Sequence, residues 1–158
     1  MFRPNVRMLV VAALAYASMG ALHVHAAPLQ EGVTHYVTGE SKFPFSPAVR
    51  AGNTVYLSGQ IGGDASGLGK DFETQARLAM DNIMSTAKLA GMGPQDLTKC
   101  TVMLADMKNW DAFNKIYRTY FQPGKFPARS AFGVTGLALG AQLEVECLGY
   151  VTTPAASH

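Results

Sequence analysis

Hydrophobic positions along this chain follow three different rhythms. Between Met8 and Leu22 they run almost without a break, through Leu9, Val10, Val11, Ala12, Ala13 and Leu14. Further along, short runs rich in β-forming residues predict strands over residues 34–37, 54–58, 98–104, 128–134 and 143–152. Val49 opens a further extended stretch, and Gly52 with Asn53 turns the chain into the strand over 54–58. Helical spacing occurs twice. In residues 71–89, Phe72, Ala76, Ala79, Met80, Ile83, Met84 and Ala87 share one stripe, with Asp71 and Glu73 at the start, Lys88 at the end and Gly91 as a stop. In the second, which Asn109 can cap, Trp110, Phe113, Ile116, Tyr117, Tyr120 and Phe121 form the stripe and Pro123-Gly124 ends it. Residues 62–69 contain four glycines with Asp64 and Ser66 and read as a loop.

The order strand, strand, helix, strand, helix, strand, strand predicts an α/β (α+β) domain: a mixed sheet with two helices on one face. The other face would still need cover. Alternation in the last strand puts Glu144, Glu146, Leu148 and Tyr150 on one side, and Tyr56 adds to the apolar surface of the sheet. Self-association is the natural way to cover it. No internal repeat, low-complexity block or long linker divides the chain.

The uninterrupted apolar run at the start has a different meaning. Arg3 and Arg7 precede it, and Val24-His25-Ala26 closes it with short residues where a signal peptidase reads. At about fifteen residues it is shorter than the roughly twenty a membrane-spanning helix needs. Residues 1–26 therefore read as a cleaved signal peptide, and the expected location is periplasmic or secreted. Residues 27–43 follow as an N-terminal segment with a possible first strand, 44–152 as the folded domain and 153–158 as a tail. No later segment is apolar and long enough to anchor the mature chain in a membrane.

Removing the signal changes the charge balance. The chain has 13 basic and 11 acidic residues, and the signal takes two of the basic ones, leaving 11 of each. Such a neutral domain, with its lysines and arginines scattered singly, lacks the basic stripe of a nucleic-acid binder. Of the histidines only His35 and His158 lie beyond the signal, too few and too peripheral for a Ser-His-acid triad. No cluster of His, Cys and acidic residues suggests a metal, and the Gly-rich segment 62–67 lacks the lysine of a phosphate loop. Cys100 and Cys147 both lie in apolar runs. In an oxidising compartment they can pair, but buried free thiols fit the pattern at least as well.

What remains is a set of charges in apolar strands: Arg129 between Ala128 and Ser130, and Glu144 and Glu146 among Leu143, Val145 and Cys147. Ionised groups are rarely buried unpaired. Two readings stay open. One is a structural ion pair of Arg129 with Glu144 or Glu146. The other is a cleft in which Arg129 grips a substrate carboxylate with its planar fork while a glutamate orients water.

These residues also carry a resemblance. Phe126-Pro127-Ala128-Arg129-Ser130, followed by Glu144-Val145-Glu146, resembles the signature of the Rid (YjgF) family of reactive-intermediate deaminases. Gly52-Asn53 through Leu57-Ser58-Gly59-Gln60-Ile61-Gly62, Asp81-Asn82-Ile83 and Phe113-Asn114-Lys115-Ile116-Tyr117 are similar to further motifs of that family in the same order. The resemblance implies a chorismate-mutase-like fold, a homotrimer with clefts between subunits, and cofactor-free hydrolysis of 2-imino acids or their enamine tautomers to 2-oxo acids and ammonia. It implies Arg129 as the carboxylate anchor, Glu144 as the residue that positions water, and Ser58, Gly59 and Asn114 as cleft residues. Phe45 stands where many members have tyrosine, Ala131 where others have cysteine, and Ala138 where a proline is common. The implied partner is an imino acid or another small carboxylate. The alternative is a trimer that binds small carboxylates, or acts like a chaperone, without turnover.

Overall fold

A computed structural model describes residues 32–39 and 43–152. The predicted signal, its cleavage point and the C-terminal tail lie outside the described residues.

The strands arise where β-branched and aromatic residues alternate with polar ones. β1 (Val33–Tyr36), β2 (Ala48–Ala51) and β3 (Thr54–Ile61) form an antiparallel meander, and Gly52 makes the tight β2–β3 turn at φ 59°. The segment expected to be a plain loop contains a small ribbon, β4 (Gly63–Asp64) paired with β5 (Gly67–Leu68). α1 (Phe72–Leu89) follows; Asp71, expected within its first turn, caps it, its carboxylate accepting the Thr74 amide at 2.8 Å. β6 (Leu97–Leu104), α2 (Trp110–Tyr117), β7 (Ala128–Gly133) and β8 (Leu143–Tyr150) complete the fold.

The start of α2 differs from expectation. Asn109 makes no side-chain cap. The chain instead enters through a 3-10 turn, Met107–Asn109, whose first residues are held by the Asp106 carboxylate on the Lys108 amide. The helical chain begins one turn earlier than expected, so Asp106, not Asn109, supplies the capping side chain. The helix also stops at Tyr117, and Arg118–Tyr120 continue as a 3-10 turn.

The six-stranded sheet has the order β1-β2-β3-β8-β6-β7. The final strand enters the middle, antiparallel to both β3 and β6, while β6 and β7 run parallel through the α2 crossover. The mixed sheet with two helices is therefore the observed fold. Ala76, Ala79, Met80 and Ile83 of α1 and Phe113 and Ile116 of α2 pack on Val55, Leu57, Val102, Leu104, Leu143 and Val145 to form the core. At Gly62, just past the end of β3, the backbone runs so close to α1 that any Cβ would collide with the Gln75 backbone. Gln75, itself buried, donates to the Gly69 carbonyl and accepts from the Gln142 amide, tying the loop after β3 and the loop before β8, which meet at one end of the sheet, to α1. Asn82 does the same for the end of β3, donating to the carbonyls of Ile61 and Gly63.

The cysteines are joined: Cys100 and Cys147 form a disulfide. Burial of free thiols was the stronger expectation. The topology reverses it, because β8 inserts beside β6 in a register that sets Cys147 directly opposite Cys100, with Cα atoms 4.1 Å apart. On the face of the sheet away from the helices, Tyr56 and Tyr150 remain about half exposed.

Candidate functional site

Arg129 is positioned by α2. Its register partner on β6 is Cys100, a core residue, so its side chain leaves the sheet on the helix side. There the guanidinium donates to Asn114 Oδ1 at 2.6 Å and lies 4.6 Å from the ring centre of Tyr117 and 4.9 Å from that of Trp110. Residues 110, 114 and 117 are spaced three and four apart, which brings one indole, one amide and one phenol to the same helix face. The rings hold the planar cation by cation–π contact, and the amide fixes its rotation. Partial burial lowers the pKa of Arg129; the nearby Tyr117 opposes that shift and Arg118 adds to it. Ala131, two residues on, faces the same side against the core.

Glu144 lies on the opposite face. Its register partners are Ile61 on β3 and Met103 on β6. Between Leu57 and Gln60 the β3–β8 pairing slips, leaving Ser58 and Gly59 as a bulge opposite Glu146. The Glu144 carboxylate lies across Gly59 so closely that a Cβ there would collide with Oε1. A larger residue there would push the carboxylate out of this position. Ser58 anchors the bulge: its Oγ donates to the Ser46 carbonyl at 2.7 Å and its amide to the Pro47 carbonyl at 2.9 Å. Phe45 immediately precedes this anchor and is exposed.

The predicted residues therefore form two groups. Arg129, Asn114 and Ala131 share the helix side, and Glu144, Gly59, Ser58 and Phe45 lie together about the bulge. The ion pair of Arg129 with Glu144 or Glu146 does not form. Residue 129 shares its face with Cys100 and Cys147, and strand alternation then turns 144 and 146 the other way. Among the described residues, Arg129 has no carboxylate partner. Sequence reading treated Trp110 and Tyr117 as core stripe only; their three- and four-residue spacing to Asn114 was the available signal.

Tyr117 adds an unusual feature. Its hydroxyl is buried and finds no hydrogen-bond partner among the described residues, and burial pushes its pKa up to about 12. Tyr117→Phe removes that unsatisfied group and is expected to stabilise the fold by about 1 kcal/mol in urea titrations at neutral pH. Because the folded state retains the proton longer than the unfolded state does, the wild type should lose stability as pH rises from about 10 to about 12. Tyr117→Phe should escape that loss.

Comparison with known proteins settles the family. The family model described as endoribonuclease L-PSP matches residues 39–151. The chain belongs to this family, the Rid (YjgF) proteins. It is 39% identical over 108 residues to the 2-iminobutanoate/2-iminopropanoate deaminase of Mus musculus, covering 66% of this chain and 79% of the relative. Among solved structures, RidA from the Antarctic bacterium Psychrobacter is 32% identical with a TM-score of 0.67, covering 75% of this chain and 96% of that one. The E. coli TdcF structure with bound serine is 28% identical with a TM-score of 0.68, covering 75% and 96% respectively. Its relatives include proteins named as 2-iminobutanoate/2-iminopropanoate deaminase and as Reactive Intermediate Deaminase A.

Proposed function

We propose that the protein hydrolyses 2-imino acids to 2-oxo acids and ammonia, in a cleft formed between the subunits of a homotrimer. One observation carries the reading. Arg129 is a half-buried guanidinium, held in place by an amide and aromatic rings and left without a carboxylate of its own among the described residues. Such a fork suits a planar carboxylate. TdcF is a relative crystallised with serine, a small amino acid that bears a carboxylate.

The separation of Arg129 from Glu144 supports the assembly. Within one chain the two groups face opposite sides of the sheet, so they act on one molecule only if a neighbouring copy supplies the second half. The uncovered Tyr56 and Tyr150 face gives that neighbour a surface to cover. Light scattering should find about three times the monomer mass, and a stable monomer would remove the shared cleft.

The chemistry needs little machinery. Arg129 fixes the carboxylate, with Asn114 keeping the fork oriented. Glu144, lying over Gly59, orients a water and accepts one of its protons as the oxygen bonds to the imine carbon. The same proton then passes to nitrogen, the C–N bond breaks, and Glu144 takes the remaining hydroxyl proton as the carbonyl of the 2-oxo acid forms, handing it to the departing ammonia, which leaves as ammonium. A protonated imine is electrophilic enough for this without a metal or a covalent nucleophile.

We also propose that the protein is exported, with cleavage after Ala26. The basic-apolar-small pattern of residues 1–26 supports this, and so does a disulfide of the kind that persists in oxidising compartments. Ammonia release from imines, generated in situ from several amino acids by an amino-acid oxidase, tests the activity. No acceleration over spontaneous hydrolysis would refute it.

A further inference from the structure

The surroundings of Glu144 contain apolar groups that the hydrolysis does not use. Phe43 and Phe45 stack with ring centres 5.3 Å apart and an interplanar angle of 22°, yet they are 68% and 54% exposed. Their position is set by the next two residues, Ser46 and Pro47, whose carbonyls accept from Ser58 at the bulge beneath Glu144. On the same sheet face a register row runs from Ile61 through Glu144 and Met103 to Phe132, and Phe132 is 46% exposed. Glu144 thus shares its sheet face with the half-exposed Phe132 and the partly buried Ile61 and Met103, and the segment carrying the Phe43–Phe45 pair is bonded to the bulge beneath it. Exposed apolar surface gathered around a polar centre is characteristic of a ligand site.

We infer that this apolar surface receives the substrate's side chain, and that the preferred substrates are 2-imino acids with a large apolar or aromatic substituent. The inference rests on the deaminase reading of the site. With the carboxylate on Arg129 and the imine carbon beside Glu144, the third substituent of that carbon is the part still unplaced. Phenylalanine rings offer it no hydrogen bond, so a hydroxymethyl group would lose its water without replacement. An apolar chain gains instead, by about fourfold in affinity for each methylene buried. Phe45, steadied by Phe43, is the specificity-determining residue.

Two measurements on the mature protein separate the substrate class from the reaction. In calorimetry, phenylpyruvate should bind at least about tenfold more tightly than pyruvate. Phe45→Ala should bring that ratio close to unity, and Phe45→Tyr, which keeps the ring, should retain most of it. In the coupled assay, imines derived from phenylalanine and leucine should be hydrolysed with higher kcat/KM than those from alanine and serine. Ammonia release with equal or reversed preference would overturn the substrate class and leave the deaminase reading intact. Ring-dependent binding of phenylpyruvate with no acceleration of any imine would overturn the reaction and leave the apolar preference standing. A preference unchanged in a folded Phe45→Ala protein would overturn the role of Phe45.

Discussion

Arg129→Lys is expected to lower kcat/KM for imine hydrolysis by about two to three orders of magnitude while the protein stays folded and assembled. Lysine keeps the charge but loses the two-pronged hold on a carboxylate, and it cannot keep the bond to Asn114 Oδ1 in the same plane as its contacts with Trp110 and Tyr117. The effect on stability should be modest, about 1–2 kcal/mol for a partly desolvated cation–π contact. A structural ion pair would behave otherwise, because removing one partner of a buried pair costs about 3–5 kcal/mol. Arg129 has no such partner among the described residues, so that penalty has no source. Glu144→Gln makes the complementary case: it keeps the shape over Gly59, removes the group that takes the proton, and should abolish turnover while carboxylate binding survives. Thermal melts and ammonia release on the same preparations give both readouts. Full activity in a folded Arg129→Lys protein would remove Arg129 as the anchor.

The sequence is most legible where one local rule decides. Helical spacing from Phe72 to Ala87 specified α1 and its buried face, with Asp71 read only as an acidic residue of the first turn. Alternation in β8 specified that Glu144 and Glu146 share a face with Tyr150. Position across the sheet follows no local rule. Nothing near Leu143 announces that β8 enters between β3 and β6, and that single choice of topology sets Cys147 opposite Cys100 and Glu144 over Gly59. It also separates Arg129 from the glutamates. Motif residues differ in the same way. Asn82 belongs to a family-like motif, yet it bonds the Ile61 and Gly63 carbonyls, whereas Asn114 bonds the guanidinium of Arg129. Residue type alone did not distinguish them; the partner does.

Opening the disulfide should have the largest effect on stability. Cys100 and Cys147 are 47 residues apart in sequence, and a cross-link closing a loop of that length restricts the unfolded chain by about 4 kcal/mol at 25 °C. For a domain of this size that corresponds to roughly 10–15 °C in Tm. Both sulfurs lie in the core between the central strands and α1, so Cys100→Ala with Cys147→Ala adds a packing loss. Reduction of the wild type leaves the packing almost unchanged and isolates the cross-link itself. The expected order of Tm is therefore oxidised wild type, reduced wild type, then the double alanine variant. Reduction should leave Arg129 in place, because α2 rather than β6 holds its guanidinium, and folded reduced protein should keep its activity below the lowered Tm. An oxidised and a reduced protein that melt together would mean that the pair is not joined in solution. The argument for an oxidising compartment would then rest on the first 26 residues alone.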